Sequence, residues 1–362
     1  MKSILPICLL TAGLLACTLE QERGIVTVHG PELPHPVSNN AVAGFRSAEG
    51  FHLLSFMGLA DGRGWQNVAS EAWHLPPGGE TWQRLPDVPG GEGRLAGTAA
   101  TVAGNVYVFG GYTVAEDGSE RSVEKVYRLD TDQLTWHELE TMPVPVDDAV
   151  SVVFLDRYVY LVSGWHDLGN VNLVQIYDVE EDSWRQATPW PGEAVFGHAG
   201  GIVGSHILVC DGVVVRLAND GGRRFEMVDT CYLGEIDAND IRRIHWQAVA
   251  PHPGPARYRM AATGTATRDG EVVFAGGSEN PYNYDGIGYD GNVSVASADV
   301  FAWRLAERRW HGYGRLPQAT MDHRGLLANA GTFYVVGGMV DAVDPKDGGD
   351  PVLSSLVHEF TL

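Results

Sequence analysis

The chain has 362 residues, with 25 lysine and arginine against 46 aspartate and glutamate side chains. Its formal charge of −21 argues against nucleic acid or an anionic membrane held by bulk electrostatics. The length is large for one ordinary domain unless that domain is assembled from repeats that bury themselves on their neighbours.

From the N-terminus, Met1-Lys2 is followed by an apolar stretch from Ile4 to Ala16 and then Cys17, the layout of a secretory signal. The stretch is shorter than the roughly 20 apolar residues a bilayer span needs. Leu14-Leu15-Ala16-Cys17 resembles a bacterial lipobox, which implies cleavage before Cys17 and a lipid on it. Thr18 in the next position implies an outer-membrane destination by resemblance to Gram-negative lipoproteins; an ordinary cleaved signal and a soluble periplasmic product is the alternative. The expected layout is a signal at 1–16, a tether at 17–24 and one domain over 25–362, placed in the bacterial cell envelope. Any membrane contact would then run through the anchor at Cys17 alone.

Beyond the tether the chain repeats itself about every fifty to sixty residues. Met57-Gly58, Gly110-Gly111, Ser163-Gly164, Asp211-Gly212, Gly276-Gly277 and Gly337-Gly338 each close an apolar run. A tryptophan follows each of the first five: Trp82, Trp136, Trp184, Trp246 and Trp310. This spacing resembles the kelch repeat, one four-stranded propeller blade per unit. The implied fold is all-β, a six-bladed kelch β-propeller. In the second unit the strands are expected at Thr98 to Ala103, Val106 to Gly110, Val123 to Leu129 and Thr135 to Leu139. The last unit stops after its third strand, Val357 to Phe360, and Ile25 to Val28 resembles a fourth strand without a blade. An N-terminal strand completing the C-terminal blade would close the ring and leave no open edge. The tryptophans and Tyr127, Tyr177 and Trp303 read as packing between blades.

This strand order puts the connections from second to third strand on one face, and there they are long: 58–70, 112–122, 165–172, 213–227, 278–297 and 339–355. Long loops on a rigid scaffold are where binding usually resides. Asn40, Arg94, Asp148, His198, Arg257 with Arg259, and His323 with Arg324 precede the inner strands and are expected around the channel mouth, suited to a carboxylate, phosphate or polyol. The fifth loop adds Tyr282, Tyr284 and Tyr289 among Asn and Asp residues, a mixture that stacks on sugar rings and hydrogen-bonds their hydroxyls. Asp341, Asp344, Asp347 and Asp350 do not follow calcium-loop spacing and read as a solvated turn, so no metal is expected. Cys210 and Cys231 fall on neighbouring antiparallel strands, where either a disulfide or two buried thiols would fit. No nucleophile elbow, phosphate loop, zinc spacing or dinucleotide fingerprint is present, and no cofactor is expected.

Gly197-His198-Ala199-Gly200, Ala275-Gly276-Gly277 with its Asn/Tyr-rich loop, and Val336-Gly337-Gly338 resemble the bacterial periplasmic sialic acid mutarotase branch of kelch propellers. That resemblance implies a catalytic Glu and Arg in the fourth-blade loop. Here Arg216 matches the arginine, while Val213 stands where the acid belongs; Asp211, Glu226 and His198 are the available substitutes. The expected function is binding of a carbohydrate or small polar ligand on the long-loop face. A sugar mutarotase or epimerase, and a scaffold for another envelope protein, are the alternatives.

Overall fold

The computed structural model describes residues 25–219, 221–267, 270–341 and 349–362. The expected signal, the tether, Cys17, Asp344 and Asp347 lie outside the described residues.

Six antiparallel sheets stand around an axis as the blades of a propeller, each of four strands, with the two-residue strand Val37–Ser38 added to the first. The first blade is Ala41–Arg46, Phe51–Ala60, Val68–Leu75 and Gln83–Leu85. The second is Thr98–Val102, Asn105–Phe109, Val126–Asp130 and Thr135–Glu138, within a few residues of expectation. The sixth blade takes Leu327–Asn329, Thr332–Val336 and Val357–Thr361, and Val26–His29 completes it. That closing pair is antiparallel, with Val26 opposite Thr361 and His29 opposite His358.

The core is divided. A separate cluster of buried side chains fills the gap between each adjacent pair of blades, including the pair formed by the sixth and the first. Between the second and third, for example, Phe109 meets Tyr177 edge to face at 5.7 Å. Each repeat tryptophan also ties two blades together through its indole N–H. Trp82 donates to the Pro31 carbonyl at 3.0 Å, Trp136 to Pro86 at 2.9 Å, Trp184 to Glu140 at 3.0 Å, Trp246 to Thr188 at 3.4 Å and Trp310 to Ala250 at 2.8 Å. Every acceptor lies just past the outer strand of the preceding blade, so Pro31 occupies the position expected of a sixth outer strand.

The glycine pairs have a geometric cause. Both members of every pair have positive φ, near 54–73° for the first and 87–114° for the second. Met57, Ser163 and Asp211 occupy the first position, but the second is glycine in all six blades. A Cβ there would fall 2.5 Å from the Ser38 carbonyl oxygen at Gly58, and 2.6 Å from those of Leu95 and Asp147 at Gly111 and Gly164.

The long connections are more ordered than the sequence suggests. Tyr112–Val114 pairs with Glu120–Ser122, Trp165–His166 with Gly169–Asn170, Val213–Leu217 with Arg223–Met227, and Met339–Val340 with Val352–Leu353. In the first blade the strand simply continues through Gly58 to Ala60, so the expected loop is shorter there. These hairpins stand on one face of the ring. Cys210 and Cys231, directly opposite in the fourth blade, form a disulfide.

Candidate functional site

Two residues before each inner strand, and five before that of the sixth blade, the chain is held in the left-handed region: Asn39 (φ 58°), Ala96 (53°), Asp148 (50°), Gly197 (63°), Arg259 (54°) and Asp322 (70°). Five of the six are not glycine, and such strain persists only where surrounding contacts over-determine it. Here a hydrogen-bonded ring does so. The Asn39 N–H donates to the Asp322 carbonyl at 3.1 Å, Asp148 to Ala96 at 3.1 Å, Gly197 to Asp148 at 3.2 Å, Arg259 to Gly197 at 2.8 Å and His323 to Arg259 at 3.2 Å. The Asn39 Oδ1 accepts from the Ala96 N–H at 2.8 Å and completes the circuit.

Side chains of that ring meet on the axis. Arg259, 2% exposed, donates through Nη1 to Asp322 at 2.9 Å and through Nη2 to Asp148 at 2.7 Å. Arg324 reaches the other Asp148 oxygen at 2.6 Å and the Asn39 Oδ1 at 2.8 Å. Tyr258 and Tyr282 lie against the Arg259 guanidinium, at 4.7 and 5.3 Å from their ring centroids. A buried ion network of this kind adds little net stability, because the cost of desolvating its charges offsets their attraction. It floors a cavity of roughly 270 Å³ on the hairpin face, between the second and fifth blades.

The cavity walls are aromatic and its polar groups converge. Trp165, Phe196, Phe225, Tyr284 and Tyr289 line it with Tyr112. Phe225 of the fourth-blade hairpin stacks on Tyr289 of the fifth-blade loop, ring centroids 3.6 Å apart and planes 8° from parallel. Arg223 lies over Trp165, 5.4 Å from the ring centroid. Glu120, Asp147, Asp148, Arg223 and Arg259 are its ionisable groups besides the tyrosines. Burial and the neighbouring Asp148 push the Asp147 carboxyl well above the carboxylate range, against a 2.7 Å hydrogen bond from the Ser122 hydroxyl. Burial opposes ionisation of Asp148 too, but Arg259 and Arg324 override it and hold that carboxyl below its usual value. Glu120 stands at the rim, solvent-accessible but hemmed in by the loops; that crowding raises its pKa, with Arg259 opposing and Asp148 adding.

The expected site residues separate accordingly. Asp148, Arg259, Tyr284 and Tyr289 line the cavity, and Tyr282 and Arg324 support its floor. His198, His323 and Arg324 line the central channel beneath, which has roughly the same volume, 270 Å³. His198 holds the Val162 carbonyl at 2.8 Å and His323 the Thr320 hydroxyl at 2.8 Å. Asn40 is buried, its amide donating to the Ser55 hydroxyl at 2.9 Å. Arg257 leaves the mouth to pair with Asp299 at 3.0 Å and Glu279 at 2.5 Å. Arg94 also leaves it, for a separate cavity at the edge of the second blade.

Arg216 and Glu226 pair with each other at 2.8 Å on the exposed hairpin, with Glu193 on the same guanidinium at 2.8 Å, away from the cavity. Asp211 is buried and accepts from the Arg257 N–H at 2.7 Å, with the His252 ring 2.6 Å away. Thus neither Arg216 nor Asp211 faces the cavity. Asp341 accepts the Ala296 N–H at 2.9 Å and Asp350 pairs with Arg63 at 3.3 Å. Among the described residues no group of three His, Cys, Asp or Glu side chains could hold a metal.

Tyr112, Gly118, Glu120, Asp147, Trp165, Phe196, Arg223 and Phe225 are the cavity residues the sequence reading did not single out. One signal was available: the residue after each second glycine bridges back to the residue before the left-handed position, as Tyr112 does to Leu95 and Trp165 to Asp147. An aromatic there must face the axis of the hairpin side.

Comparison with known proteins agrees with this architecture. The Kelch motif matches residues 93–143 and 149–189, which are the second and third blades. Kelch-like protein 15 of Gallus gallus is 33% identical over 115 residues, 32% of this chain and 23% of that protein. Kelch domain-containing protein 3 of Rattus norvegicus is 25% identical over 269 residues, 69% of this chain and 65% of that one. The matches therefore span less than two thirds of these relatives' own length. The solved structure of YjhT superposes with a TM-score of 0.67 at 18% identity, covering 90% of this chain and 95% of that one, a likeness of fold. From the motif, the six closed blades and their tryptophan and glycine signatures, the chain is a kelch-repeat β-propeller.

Proposed function

We propose that the chain binds a small carbohydrate in the cavity between the second and fifth blades. The observation that carries this reading is the wall of Trp165, Tyr284 and Tyr289 facing Glu120, Asp148 and Arg259 within one cavity. Apolar ring faces pack on aromatic walls while a few fixed polar groups read hydroxyls, the usual division of labour in a small-ligand site. Isothermal titration calorimetry with a panel of reducing sugars tests it. Saturable heat from at least one sugar, weakened roughly tenfold in Tyr284→Ala, is the expected result. Silence across the panel, or equal binding by that variant, would count against the reading and favour a protein-binding scaffold.

A second reading, interconversion of the anomers of the bound sugar, is favoured by the Asp147 and Glu120 carboxyls. Opening and closing a sugar ring needs a proton donor and an acceptor at one substrate, and carboxyls raised above their ordinary pKa suit that exchange near neutral pH. Burial and the neighbouring Asp148 favour the protonated form of Asp147. Proton NMR exchange rates would rise with added protein and fall roughly a hundredfold in Asp147→Asn with binding retained. An unchanged exchange rate in the presence of bound sugar would leave binding alone.

A further inference from the structure

Arg94 is 3% exposed, and no carboxylate pairs with it among the described residues. Its Nη1 donates to the Gly110 carbonyl at 3.0 Å and its Nη2 to the Pro89 carbonyl at 3.4 Å, and its guanidinium lies 5.4 Å from the Tyr127 ring centroid. Backbone carbonyls satisfy donors but do not neutralise charge. Burial accordingly lowers its pKa to about 10, with only the Tyr127 phenol opposing. An uncompensated buried cation is costly, and proteins ordinarily pair it.

The guanidinium forms part of the wall of a second cavity of roughly 270 Å³, between 89–94 and 121–127 at the edge of the second blade. Arg121 and Lys125 line it as well, against Glu92 and Glu124, and Lys125 is already paired with Glu138, so the feature that stands out on a protein of net −21 is the buried Arg94 without a carboxylate. The Tyr127 hydroxyl faces the same space beside Gly90, and it makes no hydrogen bond within the protein among the described residues. This cavity shares no residue with the proposed carbohydrate site.

We propose that this second cavity is a binding site for a small monocarboxylate, held by the Arg94 guanidinium and the Tyr127 hydroxyl. A planar carboxylate matches the guanidinium fork and accepts a further bond from a phenol. Arg94 offers a single buried positive charge without a carboxylate partner, which suits a monoanion better than a dianion such as phosphate.

The test follows the Arg94 side-chain Nε–H resonance of the whole chain by nitrogen-15 NMR. Sodium acetate is titrated at constant ionic strength, chloride replaced, and inorganic phosphate is titrated in parallel. The expected result is a saturable shift with acetate, weaker with phosphate, and roughly tenfold weaker affinity in Tyr127→Phe, which keeps the ring in the core. A shift that never saturates, an affinity unchanged in Tyr127→Phe, or tighter binding of phosphate would overturn the proposal. Because the carbohydrate site is elsewhere, neither result bears on sugar binding.

Discussion

The second position of the pair is glycine in all six blades, and at Gly58, Gly111 and Gly164 the reason is a carbonyl oxygen. At Gly111, φ is 88° and a Cβ would approach the Leu95 carbonyl to 2.6 Å, within the hydrogen-bonded ladder that starts the second blade. Gly111→Ala should therefore cost about 2–3 kcal/mol in urea unfolding. Gly104, with φ 78° but nothing within 4 Å of its Cβ position, should accept asparagine for less than about 1 kcal/mol. This constraint is why the blades could be counted from glycines although the first position of the pair varies. The left-handed ring before the inner strands left no such mark. Its residues are Asn, Ala, Asp, Gly, Arg and Asp, chosen by what their side chains meet on the axis and not by the backbone. Arg94 and Arg257 were expected there because they lie close in sequence to those positions, but each sits two residues earlier and turns outward to carbonyls or carboxylates.

At the scale of the strand, the tryptophan ladder converts sequence spacing into contacts between blades. Trp136→Phe keeps the ring against Phe56, 5.6 Å away, and removes the bond to the Pro86 carbonyl, so a loss of about 1 kcal/mol is expected from the urea midpoint. Closure rests on the four-residue strand Val26–His29, two of whose valines are largely exposed. Proline at Thr27 or Val28 should break that ladder in at least one of the two variants. Hydrogen exchange would then show Val357–Thr361 losing protection before any other blade; uniform protection would contradict closure by this strand. The strands and the closing pair were legible because alternation, glycine and tryptophan all follow from burial between neighbours. The hairpins on the loop face were not, since three of the four are built from two- or three-residue strands, too short to show a period. Their aromatic residues pack over the axis, not into a blade, so Phe225 carries no repeat signature and Trp165 has only its place after the second glycine.

For the whole molecule, the neutral histidines set a direction for its response to acid. Burial holds His198 and His358 down to about 4, and burial with Arg324 holds His323 to about 3. An unfolded histidine titrates near 6.5, so below that pH the unfolded chain binds protons the folded one refuses. Stability from these groups is intact above pH 7 and falls as the pH drops through 6.5 towards 4. Each should cost roughly 2 kcal/mol by pH 5. Both ring nitrogens of His358 lack partners in its buried site, so His358→Leu should remove about a third of this loss between pH 7 and 5 in urea titrations. An unchanged pH dependence would place the acid sensitivity elsewhere.

The central claim is that the aromatic cavity over the Arg259 network takes a sugar. The most direct measurement is saturation-transfer proton NMR with a panel of reducing sugars, sialic acid among them, reading anomer exchange in the same spectra. Transfer to at least one sugar, lost in Trp165→Ala, is the predicted result, and faster anomer exchange would add catalysis to binding. No transfer to any sugar, or transfer that survives Trp165→Ala, would contradict the account.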